Sequence, residues 1–446
     1  MQTESSQTLI VGLGKTGLSC ARYLAAQGES CVVTDTRMEP PGLDELLNEY
    51  PDMPVHVGGF READFSTASR IVISPGVSLR EKHVSSAIKD GIEVLGDIEL
   101  FAQTVKAPVV AITGTNGKST VTTLLANMAK ASGRKVGAGG NLGMPALELL
   151  DSGDTDLFIL ELSSFQLETT HSLNAVAAVV LNITPDHMDR YDSVEHYSKT
   201  KAVVYNGNGV MVINTDDVAV ANMETPQRNT LHYGLSQPEE GEFGLITKDG
   251  QDYLAFGAEE LIAISELKIP GRHNQSNALA ALALGHAIQL DMPAMLDTLR
   301  HFKGLQHRSE WVAEQHGVRW FNDSKATNVG ATVAALKGMP GPLILIAGGD
   351  GKSADFSELH DVIASHTREV ILLGRDADSI EKVIDHAVPV HRAVDMNDAV
   401  KIAARQAKVG DIVLLSPACA SFDMYNNYME RGDDFAQAVR QEVMHG

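Results

Sequence analysis

The residues best suited to chemistry stand together at Gly114-Thr115-Asn116-Gly117-Lys118-Ser119-Thr120. A β-branched apolar run, Val109-Val110-Ala111-Ile112-Thr113, leads into them, and a helix-forming stretch over 121–130 follows. Glycines let backbone N–H groups turn inward, and a helix N-terminus directs partial positive charge at an anion. Lys118 would reach the β- and γ-phosphates of a nucleoside triphosphate, and Ser119 would ligate Mg²⁺. The loop departs from G-x-x-x-x-G-K-[ST], because only Thr115 and Asn116 separate its glycines, two residues fewer. The alternative is an incidental strand–helix turn.

Other polar groups close apolar runs downstream. Glu161 follows Phe158-Ile159-Leu160, with Ser163-Ser164 next, and His187 lies in Asn182-Ile183-Thr184-Pro185-Asp186-His187 after another run. Strand ends in one parallel sheet share an edge, so Ser119, Glu161 and His187 are candidates to converge on one cation. A carboxylate beside a triphosphate is hard to explain except through Mg²⁺, since two anions otherwise repel. The alternatives are a solvated strand-end acid and one structural histidine among 16. Lys199 and Lys201 fall on an expected helix over 196–204, where most lysines are solvated. Further on, Asn322-Asp323-Ser324-Lys325-Ala326-Thr327-Asn328 and Gly348-Gly349-Asp350-Gly351-Lys352 each follow an apolar strand. The second suits a carboxylate or phosphate, and both read equally well as plain loops. Arg308, just past a hinge at Phe302-Lys303-Gly304, could reach a nucleotide phosphate from a neighbouring domain, as an arginine finger does.

A second glycine loop opens the chain. Thr8-Leu9-Ile10-Val11 precedes Gly12-Leu13-Gly14-Lys15-Thr16-Gly17, a helical stretch over 18–27 follows, and Cys31-Val32-Val33-Thr34 ends at Asp35. Alone, this is the G-x-G-x-x-G fingerprint with its acid and predicts a dinucleotide such as NAD. Ile71-Val72-Ile73 then runs into Ser74-Pro75-Gly76, either a ligand-bearing strand end or a structural corner.

The elements that must hold these residues follow from the pattern. Strands are expected at 156–160, 177–181 and 210–213, near-continuous apolar runs typical of parallel strands covered on both faces. Residues 215–268 turn polar and short-stranded, an antiparallel excursion. A buried helix is expected over 277–290. Strands at 320–321, 343–346, 370–373 and 412–415 alternate with helical stretches, giving a third α/β unit. At 446 residues and 43% hydrophobic content the chain suits two or three domains. Its formal charge of −22 argues against nucleic-acid and anionic-membrane surfaces. Cys20, Cys31 and Cys419 show no metal or redox spacing, so reduced thiols are expected. The opening segment lacks a basic region with an apolar stretch, so no signal peptide is expected, and no run approaches a membrane span.

Taken together, Gly114–Thr120, Glu161-Leu162-Ser163-Ser164, Asn182–His187 and Gly271-Arg272-His273-Asn274-x-x-Asn277 resemble the Mur ligases, the ATP-dependent amide-forming ligases of bacterial peptidoglycan synthesis. Folylpolyglutamate synthetase is a cousin. Val11–Ser19, Ser74-Pro75-Gly76-Val77, Asn322–Asn328 and Ser416-Pro417-Ala418-Cys419-Ala420-Ser421 are similar to the members that add D-glutamate to UDP-N-acetylmuramoyl-L-alanine. The resemblance covers essentially the whole chain and implies an α/β protein of three domains. These are a Rossmann-like UDP-binding domain (1–97), a central P-loop ATPase-like domain with a mostly parallel sheet (98–303), and a Rossmann-like C-terminal domain that binds the amino acid (304–446). It overturns the nicotinamide reading of the first loop.

The same resemblance implies site roles. Gly14, Lys15 and Thr16 would face the pyrophosphate, and Asp35, Thr36 and Arg37 the uracil and ribose, with Gly76, Asn141 and Ser163 adding substrate contacts. Gly114, Thr115, Asn116, Gly117, Lys118, Ser119, Thr120, Asn277, Arg308, Asp323 and Lys325 would bind ATP. Thr327, Lys352, Ser421 and Phe422 would form the D-glutamate pocket. Ser119 and Glu161 would hold one Mg²⁺, and His187 with a carbamylated lysine, Lys201 or otherwise Lys199, a second. Lys118, His187, Lys201 and Arg308 are the catalytic candidates. A cytoplasmic monomer is expected, with the C-terminal domain closing on ATP. Another amino acid or a folate acceptor, a nicotinamide oxidoreductase and a non-catalytic nucleotide sensor are the alternatives.

Overall fold

A computed structural model describes residues 7–141, 143–188, 190–352 and 354–445. Residues 1–6, part of the stretch read for a leader, lie outside them. The chain divides into two compact units, residues 1–263 with 276–298, and residues 264–275 with 299–446.

The first unit contains two sheets. In one, Val55–Val57, Cys31–Asp35, Thr8–Val11, Arg70–Ile73 and Glu93–Leu95 lie side by side in that order, all parallel. Successive side chains point to opposite faces. Ile10, Val33 and Val72 therefore enter one core, and Leu9, Val11, Ile71 and Ile73 another. The first of these cores continues through Phe101 and Val109 to Phe158, so the two sheets of this unit share apolar contacts. Strand order reverses between Thr8–Val11 and Arg70–Ile73, which sets the Gly12 turn beside the Ser74-Pro75-Gly76 turn at the strands' carboxyl ends. Ligands of open α/β sheets bind at such switch points.

The second sheet runs Glu259–Ala263, Gln251–Phe256, Phe243–Lys248, Thr230–Tyr233, Val210–Asn214, Ala177–Val180, Val109–Thr113, Leu157–Glu161, Val136–Gly140. Pairing is parallel from Val136–Gly140 as far as Phe243–Lys248 and antiparallel beyond. The excursion expected over 215–268 is thus antiparallel only in its later part. The short helix Val218–Ala221 returns the chain so that Thr230–Tyr233 adds in parallel. Val109–Thr113 is central, flanked by the strands that end in Glu161 and Val180. Helix Lys118–Ala131 follows it, burying Val121, Leu124, Leu125 and Met128 at helical spacing. The buried helix expected over 277–290 begins earlier, as Arg272–Ala287.

The second unit's sheet runs Glu310–Gln315, Val318–Asn322, Ile412–Leu415, Leu343–Ala347, Thr367–Leu372, Val390–Arg392, parallel except for the first pair. Leu343, Leu345, Leu372 and Leu414 face one core, and Ile344, Ile346, Ile371 and Val413 the other. Among the described residues no helix is long and apolar enough to cross a membrane. Cys20, Cys31 and Cys419 are buried free thiols.

Candidate active site

The loop at Gly114 is held from below by its neighbour strand. The Thr115 N–H donates to Asn182 O at 2.9 Å and the Asn116 N–H to Asn182 Oδ1 at 2.8 Å, while Asn182 Nδ2 donates back to Asn116 O at 3.1 Å. Gly114 (φ 149°) has no room for a side chain, because a Cβ there would stand 2.9 Å from Leu181 Cβ. Gly117 (φ 85°) caps the helix, and its Cβ would meet Asn277 Oδ1 at 2.4 Å. Asn277 therefore sits against the phosphate loop. Lys118 Nζ donates to the loop carbonyls of Gly114 and Thr115 at 2.8 and 2.9 Å, curled over the loop. Ser119 is buried in the helix's first turn.

Glu161 pairs in register with Ile112, one residue before the loop's strand ends. It is 2% exposed. Its Oε1 accepts from Asn141 Nδ2 at 2.7 Å, and its Oε2 has no hydrogen-bond partner although buried. A buried carboxylate oxygen left unengaged is costly and marks a place for a cation. Lys201 is 1% exposed, with Nζ 3.0 Å from Gly114 O and 4.6 Å above the Tyr197 ring. Burial, with the nearby Lys118 cation, brings its amine down to about 7, against the pull of Asp186 and Glu161. Lys199 points away and pairs with Glu195 at 2.7 Å, its side chain 75% exposed. His187 takes a left-handed backbone (φ 55°), and its ring lies 4.7 Å from that of Phe165. Among the described residues no three His, Cys, Asp or Glu side chains form a ready cluster for a metal. The feature that suits Mg²⁺ is the unpartnered, buried Oε2 of Glu161.

The first glycine loop lines a different place. A cleft of about 490 Å³ is bounded by Gly14, Lys15, Thr16, Asp35, Thr36, Arg37, Gly76 and Asn141, so eight of the nine expected UDP-substrate residues come together. Ser163 is outside that lining; it caps helix Ser164–Leu167 in a capping box with Gln166. Ser74, from the strand-end turn singled out in the sequence, also lines the cleft, as do Phe60 and Gln166, which gave no signal of their own. Lys15 Nζ reaches across to Gly143 O at 2.5 Å. Asp35 is filled by its own chain: Oδ2 accepts from the Leu13 N–H and Arg37 Nη2, both at 2.7 Å, and Oδ1 from Arg37 N and Nε, both at 2.9 Å. Burial would raise this carboxyl, but those donors hold it below the usual range.

In the second unit, Asp323 is buried. Its Oδ1 accepts from the Ser309 N–H at 3.0 Å and its Oδ2 from Ser416 Oγ at 2.9 Å. Burial pushes its carboxyl up to about 7, opposed by those donors and by Arg308. Lys325 Nζ lies 4.1 Å over the Tyr428 ring, and Lys352 Nζ 5.2 Å over that of Phe422, next to buried Ser421. Thr327 N bonds back to Lys325 O at 2.8 Å within the same loop. Arg431, buried, ties that loop to the 419–420 turn through Ser324 Oγ and O, Cys419 O and Ala420 O. Burial lowers its guanidinium to about 10. The charged run Glu430-Arg431-Gly432-Asp433-Asp434 hid it, since such a run reads as solvated surface.

Comparison with known proteins meets this geometry over nearly the whole chain. Residues 6–96 match the Mur ligase MurD-like N-terminal domain, 112–285 the Mur ligase middle domain and 307–419 the Mur ligase glutamate ligase domain. The chain belongs to the Mur ligase family. Similar members include UDP-N-acetylmuramoylalanine–D-glutamate ligase of Nitrosococcus oceani, 54% identical over 98% of this chain and 97% of that one. The ligase of the same name from Pseudomonas aeruginosa is 49% identical, with 97% of each chain covered. Among solved structures, UDP-N-acetylmuramate-alanine ligase of Thermotoga maritima aligns with a TM-score of 0.59 at 15% identity, over 98% of this chain and 99% of that one. A pseudomurein peptide ligase type C of Methanothermus fervidus gives 0.58 at 20%, with the same coverage. These two show the shared Mur ligase fold.

Proposed function

We propose that this chain is an ATP-dependent ligase that joins D-glutamate to UDP-N-acetylmuramoyl-L-alanine in peptidoglycan precursor synthesis, releasing ADP and phosphate. The observation that carries the reading is the cleft at the first sheet's switch point, lined by eight residues expected at a UDP-sugar, in one unit with the phosphate loop. Its relatives' shared name supports the choice of amino acid. The domain limits 1–97, 98–303 and 304–446 belong to this proposal, as do monomeric state and cytoplasmic location.

The substrate carboxylate attacks the γ-phosphorus of ATP, giving an acyl phosphate and ADP. The amine of D-glutamate then adds to the acyl carbon, and the tetrahedral intermediate expels phosphate. The nucleophile is already ionised, so the protein supplies charge neutralisation and in-line placement. Lys118 swings from its loop carbonyls onto the β- and γ-phosphates, while Gly114–Thr120 and Asn277 cradle them. Ser119 and Glu161 would hold one Mg²⁺, and His187 with Lys201 a second. When bound, that ion draws charge from the phosphate oxygens. Lys201, with an amine near 7, is suited to take up CO₂ as a carbamate, and this supports it over exposed Lys199. Arg308, Asp323 and Lys325 would contact ATP. Thr327, Lys352, Ser421 and Phe422 receive D-glutamate, with Lys352 on a carboxylate.

A screen of amino acids for phosphate release with the UDP-sugar substrate tests the reading, and D-glutamate is expected to lead. A larger rate with another amino acid, or with L-glutamate and a folate, sinks it.

A further inference from the structure

Arg190 stands between the substrate cleft and the His187 loop, and neither the expected site nor the steps above use it. Its side chain is 11% exposed. Nη1 donates to Pro75 O at 2.8 Å and Nη2 to Val77 O at 3.2 Å, on either side of Gly76 in a turn that lines the cleft. Nε and Nη2 also hold Glu168 at 3.1 and 2.5 Å. The guanidinium lies 4.2 Å over the Phe165 ring, whose flank meets the His187 ring at 4.7 Å. The backbone closes the same circuit, since the N–H groups of Arg190 and Tyr191 both donate to His187 O, at 2.9 and 3.1 Å. From Phe165 the rings continue through Tyr191 (6.2 Å) to Tyr197 (5.2 Å), whose hydroxyl lies 3.3 Å from Thr115 Oγ1 of the phosphate loop.

We propose that Arg190 is a positioning residue for the ligation, fixing the substrate turn at Pro75–Val77 and the His187 loop in one frame. The proposal rests on the functional reading above. In-line phosphoryl transfer requires the carboxylate, delivered from the cleft, and the γ-phosphate, delivered from the loop, to meet within a fraction of an ångström. A misplacement of about 1 Å costs on the order of 10²-fold. A planar fork of five donors can hold two carbonyls and a carboxylate while stacking on a ring; an ammonium cannot.

The test compares wild type, Arg190→Lys and Phe165→Leu in full-length protein. The readouts are melting temperature, calorimetric binding of UDP-N-acetylmuramoyl-L-alanine without nucleotide or metal, kcat, and the Mg²⁺ concentration for half-maximal rate. Arg190→Lys is expected to melt near wild type, bind the UDP-sugar about tenfold more weakly and lose roughly 10²-fold in kcat. Phe165→Leu leaves the carbonyl contacts in place, so it should bind the UDP-sugar normally yet need roughly tenfold more Mg²⁺. The proposal is overturned if Arg190→Lys matches wild type in binding and kcat, or if both variants lose every property in step with melting temperature. If wild type forms no amide with any amino acid, the functional reading fails instead. The calorimetric comparison still judges whether Arg190 sets the substrate turn.

Discussion

The turn after Thr8–Val11 and the turn after Val109–Thr113 share strand, glycines and helix, yet their neighbouring carboxylates are treated differently. Asp35 is saturated by the Leu13 N–H and by Arg37, so it serves as a brace for its own loop. Glu161 has one buried oxygen with no partner in its own chain. The basic groups differ too. Lys15 is exposed and spans the mouth of a cleft, whereas Lys118 and Lys201 crowd the loop itself. A glycine turn at a sheet edge thus specifies an anion site in general terms. The way the adjacent acid is satisfied separates the two: Asp35 is used up inside its own loop, and Glu161 keeps one buried oxygen unengaged.

The sharpest break in this comparison is Lys118→Ala. It should lower phosphate release by roughly 10³-fold, the scale of a lost electrostatic partner in the transition state. Calorimetric binding of the UDP-sugar at the other loop should be unchanged. Equal loss at both sites would mean the loops are not separable. The acids come next. Glu161→Gln should raise the Mg²⁺ needed for half-maximal rate by roughly 10- to 100-fold, and Asp35→Asn should instead weaken UDP-sugar binding and leave the Mg²⁺ titration alone. A shared Mg²⁺ phenotype would erase the distinction drawn between them.

How much of this was legible in the sequence depends on whether side chains carried the signal. The phosphate loop, its strand and its helix announced themselves through apolar period and glycine placement. The strand Val136–Gly140 escaped, because Val-Gly-Ala-Gly-Gly has almost no side chains to show a pattern. It is nonetheless obligatory there: a Cβ on Gly139 would meet Met144 O at 2.3 Å, and one on Gly140 would meet Glu161 O at 2.5 Å. The resemblance preferred Lys201 and kept Lys199 open, because spacing alone does not tell which face of their shared helix is packed; Lys201 is the buried one. Gln166 and Phe60 reached the cleft through tertiary approach of distant segments. Asn182 was visible in its motif, but its role as the clamp beneath Asn116 came from the pairing of its strand with Val109–Thr113.

A smaller effect separates two glycines of the first loop. A Cβ on Gly17 would fall 1.9 Å from Gly12 O, a backbone atom, so Gly17→Ala should lower the melting temperature clearly. Gly14 has φ −93° and nothing within 4 Å of a built Cβ, so Gly14→Ala should leave stability within about 0.5 kcal/mol. If the second glycine serves the approach of a diphosphate, the same variant should still raise the KM for the UDP-sugar, by about tenfold. An unchanged KM would detach Gly14 from the ligand.

The last contrast is read in stability alone. The Lys201 amine is brought from 10.5 to about 7 by burial and by Lys118. Between those values the unfolded chain holds a proton that the folded chain refuses, so stability rises with pH from about 7 towards 10. Below about 7 the folded state carries the buried charge and its full penalty. Lys201→Met removes that charge while filling similar space. Its gain in melting temperature over wild type should therefore be largest near pH 6 and shrink steadily as pH passes 7 towards 10. Lys15→Met, at the exposed lysine of the other loop, supplies the baseline. A gain at Lys201 that stays constant across this range would show that the amine is not held neutral by the loop, and the electrostatic difference between the two turns would then rest on Glu161 alone.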